Sequence, residues 1–371
     1  MDFCLNKIEL LDALSTLIKI TPNRTTLPIL STVLIKTNET EGLVLRSTDL
    51  EVDLELTLDS QNLEQGEVCC PIHKLYDVVN AISEEFVSIN INETNRMRIK
   101  TKTGKYLIVC QKTEEFPETR ELGEKTASIE GLFLYSTIKN TIYACSKDEL
   151  KPTLNGVLFD ITNKKITAVA TDGHRLVKFI NNQKNKEECK VLIPQKFLNM
   201  ISTGTINTKK ATLELYEDYA LIESNNKKLS TRLIKEKFPD YENVIPNEQE
   251  QTTTVNTEQF LNIIKRVSLM SNKTTKQVVL KLTKTKITVT AEDHETGSSA
   301  IDEMEAQHTG NECTIGFNGN LLLETLRHQK SETVQLLTSS PLSAMLIKQE
   351  NETETETTTL LMPIRINNTN A

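Results

Sequence analysis

An internal repeat constrains the fold of this chain more than any single motif does. Thr48-Asp49, Thr171-Asp172 and Glu292-Asp293 each follow a run of β-branched and apolar residues, at a spacing of roughly 120 residues. Proline motifs recur at the same spacing: Pro71 corresponds to Pro194, and Phe116-Pro117 corresponds to Phe238-Pro239. Because several landmarks share one spacing, the sequence predicts three copies of one domain, with bounds 1–124, 125–248 and 249–371.

Each copy shows the same order of elements, which is helix, strands, helix, strands. In the first copy Leu10, Leu14 and Leu17 fall on one face of an amphipathic helix. Asn6 with Glu9 forms a capping-box pattern at the start of that helix. We therefore predict an α+β fold in which helices cover one face of an antiparallel sheet in every copy.

Composition limits what the chain can bind. Hydrophobic residues make up 37% and charged residues 25%, and the formal net charge is −8. This acidic balance argues against general binding to nucleic acid or anionic membranes, but it leaves room for a basic surface on one face. Seven cysteines without CxxC spacing favour reduced thiols in a cytoplasm over metal ligation or a disulfide framework. We expect no metal, no cofactor, no signal peptide and no transmembrane segment.

The middle copy contains an Asp-Gly turn that predicts a β-hairpin. Asp172 and His174 in this turn could form a metal or general-base pair, which would suit a metal-dependent nucleic-acid hydrolase. The sequence supplies no further ligand at metal-binding spacing, and the counterparts of His174 are Glu51 and Glu295. A structural or binding role is therefore favoured over catalysis, and no catalytic residue is assigned.

Short motifs are spread along the whole chain. The most specific are Thr-Asp-Gly-His-Arg-Leu at residues 171–176 and Leu-Met-Pro-Ile-Arg-Ile at residues 361–366. Others lie at residues 26–30, 154–159, 238–241 and 315–318. Together, and in this order, they resemble the bacterial DNA polymerase III beta subunits, the family of sliding clamps.

The resemblance implies a non-enzymatic, cytoplasmic processivity factor that slides on duplex DNA as a closed ring. Two chains would join head to tail as a homodimer with six domains. A size estimate agrees, because a domain of this length is roughly 35 Å across. A ring that clears duplex DNA has a mid-wall circumference of roughly 200 Å, which three domains would only half cover. The implied partners are duplex DNA without sequence preference, the polymerase III catalytic subunit, the clamp loader, and other polymerases and repair factors with clamp-binding peptides.

The family's pattern also implies site residues. Its dimer interface corresponds to Tyr106 and Ile108 on an edge strand, with Leu269 and Met270 after the first helix of the third copy. The pocket for partner peptides, between the second and third copies, would be lined by Leu154, Thr171, Gly173, His174, Arg175, Leu176, Pro239, Val244, Leu360, Leu361 and Met362.

Cations on corresponding helices give the expected DNA-facing surface, whose contacts would be salt-sensitive and blind to sequence. Arg24, His73 and Lys74 match family positions near DNA, and Lys147, Lys151 and Lys196 extend the set. The chain departs from the family at Pro152-Thr153, where some members carry aromatic residues. Two alternatives to the ring stay open, the hydrolase described above and a monomeric three-domain scaffold.

Overall fold

A computed structural model describes residues 1–22, 24–38, 42–61, 64–119, 122–182, 185–246, 250–349 and 355–366. The predicted repeat is visible in the order of its elements. The first copy contains β1 (Asp2–Asn6), α1 (Lys7–Ile18), β2 (Thr32–Asn38), β3 (Gly42–Thr48), β4 (Val52–Leu58), β5 (Gly66–Pro71), α2 (Ile72–Ala81), β6 (Phe86–Ile91), β7 (Arg96–Lys100) and β8 (Lys105–Val109).

The second and third copies follow the same order. The second contains β9 (Lys125–Glu130), α3 (Gly131–Thr141), β10 (Gly156–Ile161), β11 (Ile166–Thr171), β12 (Arg175–Asn181), β13 (Cys189–Pro194), α4 (Gln195–Ser202), β14 (Thr212–Tyr216), β15 (Tyr219–Ser224) and β16 (Lys227–Arg232). The third contains β17 (Gln251–Asn256), α5 (Thr257–Ser268), β18 (Gln277–Leu282), β19 (Lys286–Asp293), β20 (Ser298–Glu305), an additional β21 (Gln307–Thr309), β22 (Cys313–Asn318), α6 (Gly319–Arg327), β23 (Thr333–Thr338), β24 (Met345–Gln349) and β25 (Thr355–Leu361).

The chain folds into two compact units, which the repeat did not predict. One unit comprises Met1–Tyr135 with Lys196–Leu233, and the other comprises Ser136–Gln195 with Ile234–Ala371. Each unit joins part of the middle copy to one flanking copy, because large sheets run without a break from one copy into the next. The domain bounds drawn from the repeat stay a prediction, and the one at 248/249 lies outside the described residues.

Each unit contains one small and one large sheet, and the pairings of the described strands are antiparallel. In the first unit the strand orders are β1-β6-β7-β8 and β5-β2-β3-β4-β16-β15-β14-β9. In the second unit they are β20-β19-β18-β22 and β13-β10-β11-β12-β25-β24-β23-β17-β21. A joint between copies is therefore a strand pair, β4 with β16 in the first unit and β12 with β25 in the second.

The third copy illustrates how helices cover a sheet. In α5 the buried residues Phe260, Ile263 and Val267 recur at helical spacing, and they pack in one core cluster with Val289 on β19 and Phe317 on β22. The predicted α+β arrangement is confirmed. The predicted N-cap of α1 is also present, since the Asn6 amide oxygen accepts the Ile8 N–H at 2.8 Å.

The Asp-Gly hairpin is also confirmed. Strands β11 and β12 are antiparallel neighbours, with Thr171 opposite Leu176. Strand β11 is buried along its whole length, so it is covered on both faces. Among the described residues, no helix is both long and apolar enough to cross a membrane.

Candidate docking site and interface strands

The turn between β11 and β12 is held by its own side chains. The Asp172 carboxylate accepts backbone N–H bonds from His174 and Arg175, both at 2.9 Å. The Thr171 hydroxyl donates to the Arg175 carbonyl at 2.6 Å and accepts the Gly173 N–H at 3.1 Å. Gly173 has a φ of +89°, which glycine adopts without steric strain. One oxygen of Asp172 is thus engaged by the backbone of the turn.

The first copy builds the same corner between β3 and β4. Asp49 accepts the N–H bonds of Glu51 at 3.0 Å and Val52 at 2.7 Å, and the Thr48 hydroxyl donates to the Val52 carbonyl at 3.0 Å. Leu50 takes the place of the glycine, with a φ of 78°. The turn is therefore a repeated structural corner, and Gly-His-Arg-Leu occupies it in the second copy.

Arg175, predicted as a pocket residue, has its guanidinium in the interior of the second unit, where its side chain is only 5% exposed. Its Nε donates to Asp172 Oδ2 at 3.0 Å and its Nη2 to the Tyr143 carbonyl at 2.5 Å. Its Nη1 forms an ion pair with Glu324 Oε2 at 2.9 Å, and the guanidinium lies 5.1 Å from the centre of the Tyr143 ring. That ring stacks on His328 with centroids 3.8 Å apart, and burial raises the pKa of Tyr143 to about 12. The Arg175 guanidinium therefore connects the turn to Tyr143 and Glu324.

Three more of the predicted pocket residues lie on the seam, which is the pair of strands β12 and β25. Leu176 lies opposite Leu360, and both are buried, as is Leu361. Beyond the strand, the Met362 N–H donates to the His174 carbonyl at 2.8 Å. This bond brings two exposed side chains, His174 and Met362, to the end of the seam.

An apolar cluster lies beside this seam, where the pocket for partner peptides is predicted. Phe238 and Tyr241, from the segment after β16, pack there with Leu176 and Leu360. The other buried members are Leu158, Val169, Leu192, Ala344 and Leu346. Among the remaining predicted residues, Pro239 and Val244 are exposed, Leu154 is half-buried, and Thr171 is buried. The exposed Pro239 and Val244 lie in the same segment as the buried Phe238 and Tyr241.

The predicted DNA-binding cations fall into two groups. Five are exposed, and their side chains are available to a ligand: Arg24, His73, Lys74, Lys147 and Lys151. Lys196 instead forms an ion pair with Asp49 and donates to the Ile20 carbonyl at 3.0 Å, so its ammonium is engaged within the first unit. Lys151 also has an ion-pair contact, to Asp148 at 3.9 Å, with both groups solvated.

The predicted interface residues lie on or near the edges of the small sheets. Strand β8 is the last strand of its sheet, and Tyr106 on it is 43% exposed while Ile108 is buried. Leu269 and Met270 follow α5 and are 76% and 41% exposed. Strand β20 is the edge of the other small sheet. Sequence reasoning missed three exposed apolar residues on these edges, although strand alternation could have found them: Leu107, Val109 and Ile301.

Comparison with known proteins decides the family. Profiles described as the N-terminal, central and C-terminal domains of the DNA polymerase III beta subunit match residues 1–120, 128–240 and 242–365. The chain belongs to this family, the sliding clamps.

Relatives and solved structures agree over the full length. The beta sliding clamp of Haemophilus influenzae is 26% identical over 372 residues, covering 99% of this chain and 100% of the relative. A sliding clamp of Bartonella birtlesii, solved bound to griselimycin, is 25% identical with a TM-score of 0.90 and covers 99% of this chain and 100% of its own. The Bacillus subtilis sliding clamp has a TM-score of 0.90 at 22% identity, with 99% of both chains covered, which shows a shared fold.

The hydrolase alternative finds no support in this sliding clamp. Asp172 is occupied by the turn backbone and by Arg175. In the part of the chain that the structure describes, no three His, Cys, Asp or Glu side chains come together in a way that could hold a metal ion. The function is that of a DNA polymerase III sliding clamp.

Proposed function

We propose that the chain acts as a head-to-tail homodimer whose six repeats form a ring around duplex DNA. One observation carries this proposal. Both internal joints pair the strand after the corner of one copy with the last strand of the next copy, β4 with β16 and β12 with β25. The corresponding strands at the two ends of the series are β20 and β8, and both are sheet edges within the described ranges. Two chains could therefore use the same joint twice more and close the ring.

The internal joints also predict the register of the closing pair. Leu229 lies opposite Leu54 in the first joint, and Thr359 lies opposite Val177 in the second. In each copy the last strand is followed by a residue that forms an isolated β-bridge, which is Gln111, Ile234 or Ile364. Leu229 and Thr359 stand five residues before Ile234 and Ile364. Tyr106 stands five residues before Gln111, so it is their counterpart on β8. On β20 the counterpart of Leu54 and Val177 is Ala300, one residue beyond the partner of Glu292. Tyr106 should therefore face Ala300 of the partner subunit.

A disulfide tests both the ring and its register. Tyr106→Cys combined with Ala300→Cys should give a covalent dimer under mild oxidation, since directly opposed strand residues lie within disulfide reach. Formed in the presence of a circular plasmid, that dimer should remain on the DNA in high salt and be lost once the plasmid is linearised. The matched control, Tyr106→Cys with Glu303→Cys, places the second thiol out of register and should link poorly. Equal linking in both pairs, or loss from the intact circle, would refute the proposal.

We further propose that the DNA contacts come from the exposed cations Arg24, His73, Lys74, Lys147 and Lys151. A ring confines the duplex, so these contacts need only be numerous and weak, and phosphate contacts of this kind carry no sequence information. The net charge of −8 fits a protein that uses a local basic surface and remains mobile on DNA. The proposed role is that of a non-enzymatic, cytoplasmic tether.

The apolar cluster beside the β12–β25 seam is the proposed docking site for short peptides of the polymerase III catalytic subunit, the clamp loader, and other polymerases and repair factors. An apolar floor with a few polar groups at its rim suits a peptide with one or two apolar anchors. Met362→Ser should weaken binding of the clamp-binding peptide from the cognate polymerase by about tenfold, because an apolar contact worth roughly 1–2 kcal/mol is lost. Leu342→Ser removes an apolar side chain outside this cluster that is more exposed than Met362, 72% against 39%, and it is the control. Equal affinities of the two variants would place the site elsewhere.

A further inference from the structure

Two cysteines of the first unit face each other across a pair of antiparallel segments. Cys69 on β5 and Gln111 after β8 form a bridge with both backbone bonds, Cys69 N–H to Gln111 O at 3.0 Å and Gln111 N–H to Cys69 O at 2.8 Å. The next pair in this register is Cys70 with Cys110, at a position without backbone bonds between them. Opposed residues at such positions have Cα atoms about 4.5 Å apart, which lies in the range that disulfides span.

The two side chains are buried on the same side of this pair. Cys70 is fully buried and Cys110 nearly so, and their thiols lie close enough to interact. The sulfur of Cys70 also lies 3.8 Å from that of Met97. Strand alternation points the neighbouring Cys69 to the opposite face, where it interacts with Thr32. The fold does not need thiols here, because the corresponding pair in the second copy is Ile193 with Leu233.

The interaction makes the two thiols unequal. The neighbouring Cys70 thiol holds the pKa of Cys110 below its usual range. The Cys110 thiol and burial together raise the pKa of Cys70. Thiolate therefore forms first on Cys110, and the thiolate is the form that reacts with oxidants.

We propose that Cys70 and Cys110 are a redox-sensitive pair that closes to a cross-strand disulfide in the presence of peroxide. The Cys110 thiolate attacks one oxygen of hydrogen peroxide, the O–O bond breaks, and the departing hydroxide takes up a proton to leave as water. The product is a sulfenic acid on Cys110. Cys70 then loses its proton and attacks the Cys110 sulfur, so that the S–O bond breaks and a second water leaves. Two thiols are oxidised to one disulfide, and one peroxide is reduced to two waters.

The disulfide would act on the edge strand β8. Cys110 directly follows β8, which within its own sheet has β7 as its only neighbour among the described strands. In a chain separated from its partner, β8 is an unpaired edge that opens locally at low free energy, and such opening gives peroxide access to the buried sulfurs. Once formed, the bond ties the carboxyl end of β8 to β5, and β8 can no longer separate at that end.

Peptide mapping of the full-length protein tests the proposal. After treatment with hydrogen peroxide, alkylation and digestion without reductant, we expect a Cys70–Cys110 linked peptide in the wild type and in Cys69→Ser. Cys110→Ser should lack it. Amide hydrogen exchange in Lys105–Val109 should slow by about tenfold on oxidation and recover with dithiothreitol. Two results would overturn the proposal: oxidation confined to the half-buried Cys4, Cys189 and Cys313, or a link from Cys110 to Cys69.

Discussion

Replacing Arg175 by Ala should destabilise the second unit strongly, because this guanidinium has ion-pair and hydrogen-bond partners from three separate segments. The change removes the guanidinium donors of Asp172 Oδ2 and of the Tyr143 carbonyl, while the backbone bonds to Asp172 Oδ1 remain. Removing one partner of a buried ion pair costs about 3–5 kcal/mol. The Glu324 side chain is 42% exposed and water can replace part of its contact, so we expect the low end, about 3 kcal/mol. That free energy corresponds to about a 150-fold change in the unfolding equilibrium.

Urea unfolding at one fixed protein concentration measures this loss, since an oligomer's apparent stability depends on concentration. The matched control is Lys190→Ala, which removes an ion pair with Asp160 at 3.5 Å from the surface of the same unit. Its side chain is 58% exposed, so the expected cost is at most about 1 kcal/mol. If the two variants lose the same stability, the buried network does not hold the joint. The double variant Arg175→Ala with Glu324→Gln then separates the contribution of the Arg175–Glu324 ion pair from that of the other contacts of Arg175. Residues in contact give a non-zero coupling energy in such a cycle.

Two further changes test the repeated corner and the DNA surface. Leu50→Gly should stabilise the protein by about 0.5–1 kcal/mol in thermal unfolding. A positive φ strains leucine by roughly 1–2 kcal/mol, and the larger conformational entropy that glycine loses on folding offsets part of the relief. Asn95→Gly, at a φ that asparagine tolerates, should bring no such gain, and a loss of stability in Leu50→Gly would show that the corner is unstrained. Arg24→Glu with Lys74→Glu should weaken DNA binding and lower the salt dependence, by about 0.9 in the log–log slope for each lost phosphate contact. The exposed Lys112→Glu is the control, and an unchanged slope in the double variant would remove these cations from the interface.

Sequence reasoning found the repeat, the hairpin and the helix-covered sheets because these depend on local periodicity and turn chemistry. It could not place Arg175 or Lys196, whose partners come from segments far away along the chain, such as Glu324 and Asp49. Their ligand-binding roles stay predictions, and the structure adds that each has a partner in another copy of the repeat. Ile108 is a different case, because the alternation of β8 already puts it on the buried face.

The two internal joints share a backbone pairing but hold the Phe-Pro segment by different forces. In the first joint Arg46 forms an ion pair with Asp53 at 2.6 Å and donates to the Pro117 carbonyl at 2.8 Å.

The second joint has Val169 and Leu176 at the positions of Arg46 and Asp53, and both belong to the apolar cluster that packs against Phe238. An apolar ligand side chain gains about 25 cal/mol for each Å² that it buries on such a floor. On the first joint it would meet a satisfied ion pair, whose disruption would leave a charge unpaired at a cost of several kcal/mol. The chemistry of these two positions is therefore sufficient to favour docking at the second joint, even though the corner itself is repeated.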